Sequence, residues 1–273
     1  SNGTSYLTNS LVSSALNYNQ WYHVAGTYNG TDAKIYIDGS LDATYSTSIV
    51  PGTFTSGFTA IGYMSYGSRY FPGIINEVAV YDSACTLAQI QALAATGPNG
   101  GPLPPNPASG PSTLPSTANL IGYWRNDGNV TWTDRSGNGN NGTATGSPDA
   151  LLFKQGINGS ASTSTGRDGQ GFPLSRQNNG AIGFDGSTNY TDVGSVGGAG
   201  TFSNCTISVW VNPQNNGGAT DYGRIYDGNY EPSIRQRGPT LQLNGTVAAS
   251  QTYLFYLGAD ISNYFSSGNM TVP

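Results

Sequence analysis

The chain has 273 residues and a formal net charge of −5, with only 9% of its residues charged. That charged share is about a third of the usual one, and the negative balance excludes a nucleic-acid partner, which needs a basic footprint. No apolar run approaches the roughly 18 residues of a membrane span, and 18 Tyr with so little charge mark a folding rather than a disordered chain.

In chain order, strands are predicted at 21–28 and 33–37 around a turn at Asp32, with Ile35 and Ile37 sharing a face. Strands at 58–64 and 75–81 follow. Thr86-Leu87-Ala88-Gln89 then makes a capping box, Ile90, Leu93 and Ala94 form one stripe, and Gly97 is the expected helix stop. Residues 98–118 read as a linker. Pro98, Pro102, Pro104, Pro105, Pro107, Pro111 and Pro115 leave few amide donors for a sheet and favour an extended path of roughly 60 Å. Beyond it, strands are predicted at 120–124, 182–185, 206–211, 223–226, 233–236, 241–243 and 252–257. In 206–211, Ile207, Val209 and Val211 alternate with Ser208 and Trp210, as in a sandwich strand covered on both faces.

Several motifs sharpen this into a fold. Asn19-Gln20-Trp21-Tyr22-His23-Val24-Ala25-Gly26, Lys34-Ile35-Tyr36-Ile37-Asp38-Gly39 and Phe71-Pro72-Gly73-Ile74-Ile75-Asn76-Glu77-Val78-Ala79-Val80-Tyr81-Asp82 resemble the closing half of a laminin-G-like, concanavalin A-like jelly roll. Leu120-Ile121-Gly122-Tyr123-Trp124, Asp134-Arg135-Ser136-Gly137-Asn138-Gly139-Asn140-Asn141-Gly142 and Ile207-Ser208-Val209-Trp210-Val211 resemble its opening half. The resemblance implies an all-β, two-sheet jelly-roll sandwich with one short helix, split into two half-domains in reversed order. Residues 1–97 are the C-terminal half and 119–273 the N-terminal half.

Three arrangements give that order. The chain is one period of a tandem array, or a polymer subunit that shares its halves with two neighbours, or a circularly permuted monomer that closes on itself. Half a jelly roll exposes open edges and an apolar face, so the first two need copies of the chain as partners in a linear assembly. With neither an initiator Met nor a leader, the chain is expected to be a processed product or a piece of something longer.

The resemblance also implies sites. A structural calcium ion would draw on Asp134, Asn138 and Glu77, although Asn76 stands where the family usually has Asp. The other reading of that run is an Asx-rich turn bonded to its own backbone. Polysaccharide would meet exposed aromatics, for which Tyr63, Tyr66, Tyr222 and Tyr226 are the candidates, with Tyr70 and Tyr230 nearby. Cys85 and Cys205 are either a disulfide, formed between adjacent copies if units run in series, or two buried thiols.

Apart from that structural calcium ion no cofactor is expected, and no catalysis. Glu77 and Glu231 are the only glutamates, the paired-carboxylate strand of the glucanases is lacking, and His23 has no partner set for zinc or a nucleophile. Asn-x-Ser/Thr sequons at Asn2, Asn29, Asn129, Asn141, Asn158, Asn189, Asn204, Asn244 and Asn269 imply surface positions and allow glycosylation. The expected protein is a structural repeat of an extracellular, cell-surface or virion-surface fibre or adhesin. The alternative is a carbohydrate-binding module of an adhesin or tail fibre.

Overall fold

The computed structural model describes residues 11–46, 53–54, 58–64, 69–95, 119–125, 132–146, 149–152, 180–197, 200–201, 203–214, 223–230, 238–247 and 250–257. The expected linker at 98–118, the expected strand at 233–236 and both chain ends lie outside them. The first segment carries β1 (Leu16–Asn17), β2 (Tyr22–Tyr28), β3 (Asp32–Ile37), β4 (Ser40–Ser46), β5 (Thr53–Phe54), β6 (Phe58–Ile61), β7 (Tyr63–Met64), β8 (Arg69–Tyr70), β9 (Pro72–Tyr81) and α1 (Leu87–Ala94). In the second segment come β10 (Leu120–Trp124), β11 (Thr143–Thr145), β12 (Asp149–Leu152), β13 (Gly180–Asp185), β14 (Tyr190–Gly194) and β15 (Gly200–Thr201). It ends with β16 (Cys205–Pro213), β17 (Arg224–Tyr230), β18 (Pro239–Val247) and β19 (Ser250–Leu257).

Local chemistry explains the turns. The Asn29 side-chain oxygen accepts the backbone N–H groups of Thr31 and Asp32 at 3.0 and 2.7 Å, which closes the β2–β3 hairpin. Asp38 and Gly39 both take positive φ (50° and 79°), the two-residue turn whose twist suits a hairpin, so Ile37 pairs with Ser40 and β4 follows. That strand was not expected from the sequence, though Leu41, Ala43 and Tyr45 alternate along it. The capping box at α1 is formed as expected, with the cap side chains of Thr86 and Gln89 bonded reciprocally. The helix closes at Ala95, and Gly97 lies outside the described residues.

Two antiparallel sheets carry the fold. One runs β1-β19-β18-β17-β6-β14-β11; the other runs β12-β13-β9-β16-β2-β3-β4, with β10 added on β9. Strands of both segments alternate in each: β16 lies between β9 and β2, and β6 lies between β14 and β17. The core between the sheets joins Val24, Ile35, Val78, Val80, Ile207 and Val209 to Ile61, Ile225, Leu241, Leu243, Tyr253 and Phe255. The layers meet so closely at β2 that a Cβ on Gly26 would stand 2.3 Å from the Phe255 ring. On the other face of the β9–β16 sheet, Trp21 of the first segment and Trp210 of the second share one cluster with Ala181. This is the concanavalin A-like sandwich expected from the sequence, with one helix among the described residues.

Candidate functional site

The outer face of the β9–β16 sheet is sealed. Ile90 of α1 packs with Tyr36, Ala79, Tyr81, Cys85, Leu120 and Tyr123. Beside them Glu77 is buried, its Oε1 lying 3.5 Å from Arg125 Nε and its Oε2 accepting the Tyr123 hydroxyl. Burial first, and the Glu77 carboxylate next, hold the Tyr123 phenol well above its usual pKa, which keeps its proton in that bond.

The Asp134 loop braces the same strand. Asp134 Oδ1 accepts the N–H groups of Tyr123 (3.0 Å) and Ser136 (2.9 Å), and Oδ2 accepts that of Asn140 (2.9 Å). The side-chain amides of Asn138 and Asn140 donate to the carbonyls of Leu120 and Ile121, each at about 2.9 Å or less. This arrangement is the self-bonded Asx turn. Calcium ligation by Asp134, Asn138 and Glu77 does not fit it. Both Asp134 oxygens are already taken by amides, Asn138 donates rather than accepts toward β10, and Glu77 is committed to Tyr123 and Arg125. Among the described residues no group of three or more His, Cys, Asp or Glu gathers.

The outer face of the other sheet carries aromatic rings. Tyr63 stacks on Tyr190 with centroids 4.4 Å apart and tilts against Tyr70 at 4.6 Å, and all three are half-buried. The β7–β8 hairpin positions two of these rings through the Tyr63–Tyr70 register, and Tyr190 opens β14. Pairing of Arg224 with Gln242 and of Asp227 with Thr240 sets those four side chains on this face, opposite Leu241 and Leu243. Arg224 Nε donates to Met64 Sδ at 2.9 Å, and the Thr240 hydroxyl donates to Asp227 Oδ1 at 3.2 Å. Desolvation, followed by Tyr70, Tyr190 and Asp227, pushes the Tyr63 phenol up to about 12.

Of the aromatic candidates read from the sequence, Tyr63 therefore lies in this cluster. Tyr226 does not: it pairs with Leu241 and Ile61 and is buried in the core between the sheets, because the irregularity after Arg224 turns it inward. Tyr66 and Tyr222 lie outside the described residues. Sequence reading missed Tyr190, Arg69, Arg224 and Asp227. The alternation Tyr190/Asp192 against Thr191/Val193 was the available signal for the first; the others needed the sheet.

His23 is structural. Its Nε2 meets Ser208 Oγ at 2.8 Å, its ring tilts against Trp210, and burial lowers its pKa to about 3. Cys85 and Cys205 are buried free thiols. Cys205 belongs to the core between the sheets and Cys85 to the cluster under α1. Burial pushes the Cys85 thiol up to about 11.

Geometry and topology thus define a concanavalin A-like β-sandwich. Residues 1–91 match the laminin G-type family model of the concanavalin A-like lectin/glucanases superfamily, so the first segment carries that family's sequence pattern and the described sandwich its fold. No curated protein matches the chain. No helix among the described residues is long and apolar enough to cross a membrane.

Proposed function

We infer that the chain is a surface or extracellular adhesion module that binds polysaccharide on the outer face of the β17–β6–β14 sheet. The observation that carries this is the cluster of three partly exposed tyrosines, Tyr63, Tyr70 and Tyr190, on a sheet face whose own polar side chains, Arg224 and Asp227 among them, are buried. Ring faces offer a flat apolar surface to the C–H face of a pyranose, and the tyrosine hydroxyls are the polar groups able to meet its hydroxyls. The role is binding rather than hydrolysis: Glu77 is spent on Arg125 and Tyr123, away from these rings. A glycan array probed with the folded chain and with Tyr190→Ala tests the reading. Selective signals that fall at least tenfold in the variant are expected, and uniform silence of the wild type overturns it.

A second reading is linear assembly by exchange of half-domains between copies. Its ground is the strand order: the β9–β16, β2–β16, β6–β14, β6–β17 and β1–β19 pairings all join the two segments, and in the single chain they close the sandwich on itself. Each would form equally well between segments of two molecules, with 98–118 as the tether. Calibrated size-exclusion chromatography with light scattering, run over a hundredfold range of protein concentration, reads this out. Dimers and longer species that grow with concentration are expected; a monomer throughout rejects assembly.

A further inference from the structure

One edge of β9 changes partners along its length. Pro72–Ile75 pair with β13 and Val78–Tyr81 pair with β10, whereas Asn76 and Glu77 pair with neither. On the opposite edge β16 spans the same stretch with one residue fewer, Ser208 facing Ala79 and Trp210 facing Asn76. The extra residue makes a β-bulge, and Glu77 sits in it at φ 53°, a left-handed conformation that a non-glycine residue holds only when its surroundings enforce it. Those surroundings come from the other segment. Tyr123 donates to one carboxylate oxygen and Arg125 faces the other, with Glu77 and Arg125 side chains each only 6% exposed.

We propose that the Glu77 bulge is a keyed socket for β10 and Arg125, and that it takes this strand from a second copy of the chain as well as from its own. The proposal rests on the exchange reading above. Leu120 and Tyr123 supply apolar anchors against Tyr81, Cys85 and Ile90, and Arg125 supplies the key. A strand that arrives without the guanidinium, or one residue out of register, leaves a buried carboxylate unpaired, so wrong strands are rejected. The Asp134 loop travels with β10 and bonds its outer edge through Asn138 and Asn140, so the arriving strand offers no further edge for addition. The partner that fits is therefore another copy of this chain, docked once per socket.

Charge reversal tests it in full-length protein. E77R and R125E each place like charges in their own socket. In a segment-exchanged dimer of the two variants, one sandwich joins the two substituted positions and the other joins the two native residues, so opposite charges meet in both. The variants are unfolded together in denaturant, diluted, and sized by chromatography with light scattering, beside wild type and each variant alone at equal total concentration. The expected result is a wild-type dimer, and a mixed dimer at least fivefold more abundant than either variant yields by itself. A wild-type dimer with no gain in the mixture overturns the key and leaves exchange standing. Monomer in both overturns exchange and the socket with it. Failure of a single variant to fold does not obscure the readout, because only the matched dimer is scored. As a second measurement, E77R/R125E in one chain is expected to melt above both single variants, and a double variant no better than the worse single overturns the key.

Discussion

The two outer faces of the sandwich are built on different terms. Over the β9–β16 sheet, α1 and β10 close on an apolar patch with one buried ion pair inside it, and both segments contribute. Across the β17–β6–β14 sheet, three half-buried tyrosines cluster on a face whose polar side chains, Arg224, Asp227, Thr240 and Gln242, are buried. A sealed face whose groups satisfy one another serves joining, because its contacts are worth most when complete. Rings that keep a part of their surface exposed serve recognition, since that part is left for something else to cover.

The contrast can be broken by unequal responses to substitution. The largest effect is expected at the sealed face: Arg125→Ala leaves the Glu77 carboxylate buried without its partner and should lower stability by about 3–5 kcal/mol in urea titration. Adding Glu77→Gln should recover part of that loss. Gly26→Ala puts a methyl against Phe255 and separates the layers beneath both faces. A loss of about 1–3 kcal/mol is expected, with a lowered melting midpoint.

Acidity sharpens the difference further. His23 is buried beside Ser208 and Trp210, and its folded pKa of about 3 lies below the unfolded value near 6.5. The unfolded chain therefore binds the extra proton between those values, and stability falls as pH drops from about 6.5 toward 3. The slope is at most about 1.4 kcal/mol per pH unit. Comparing urea midpoints at pH 7 and pH 5 for wild type and His23→Gln isolates this contribution; equal pH dependence in the two would contradict it. The smallest stability change belongs to the tyrosine face. Tyr63→Ala removes ring contacts worth about 1 kcal/mol and should leave the fold intact while abolishing glycan signals. A stable variant with unchanged glycan binding would move the recognition site elsewhere.

Much of the architecture was legible in advance. The expected strands 21–28, 206–211 and 75–81 are carried by alternation, α1 by its capping box, and the sandwich by the family resemblance of the Trp21, Trp124 and Trp210 neighbourhoods. Of the strands not expected, which include β11, β12 and β14, β4 had its signal in Asp38-Gly39 and the Leu41/Ala43/Tyr45 alternation. The sites were less legible. Asp134 and Asn138 are ligand-type residues, but hydrogen-bond geometry commits them to the backbone of β10. Tyr226 has the composition of a binding residue, but the local register turns it into the core.

Period-two alternation, turn residues and cap chemistry are local properties, and they sufficed for many of the strands and for the helix, whereas the two-layer sandwich was read from resemblance to the laminin-G-like family. Which strand lies against which, and which side chains therefore meet, depends on contacts between residues more than a hundred positions apart in the case of Trp21 with Trp210. The Glu77–Arg125 pair and the Tyr63–Tyr190 stack have the same origin. Alternation assigns a residue to a face, whereas the energy that chooses the neighbour across that face comes only from packing.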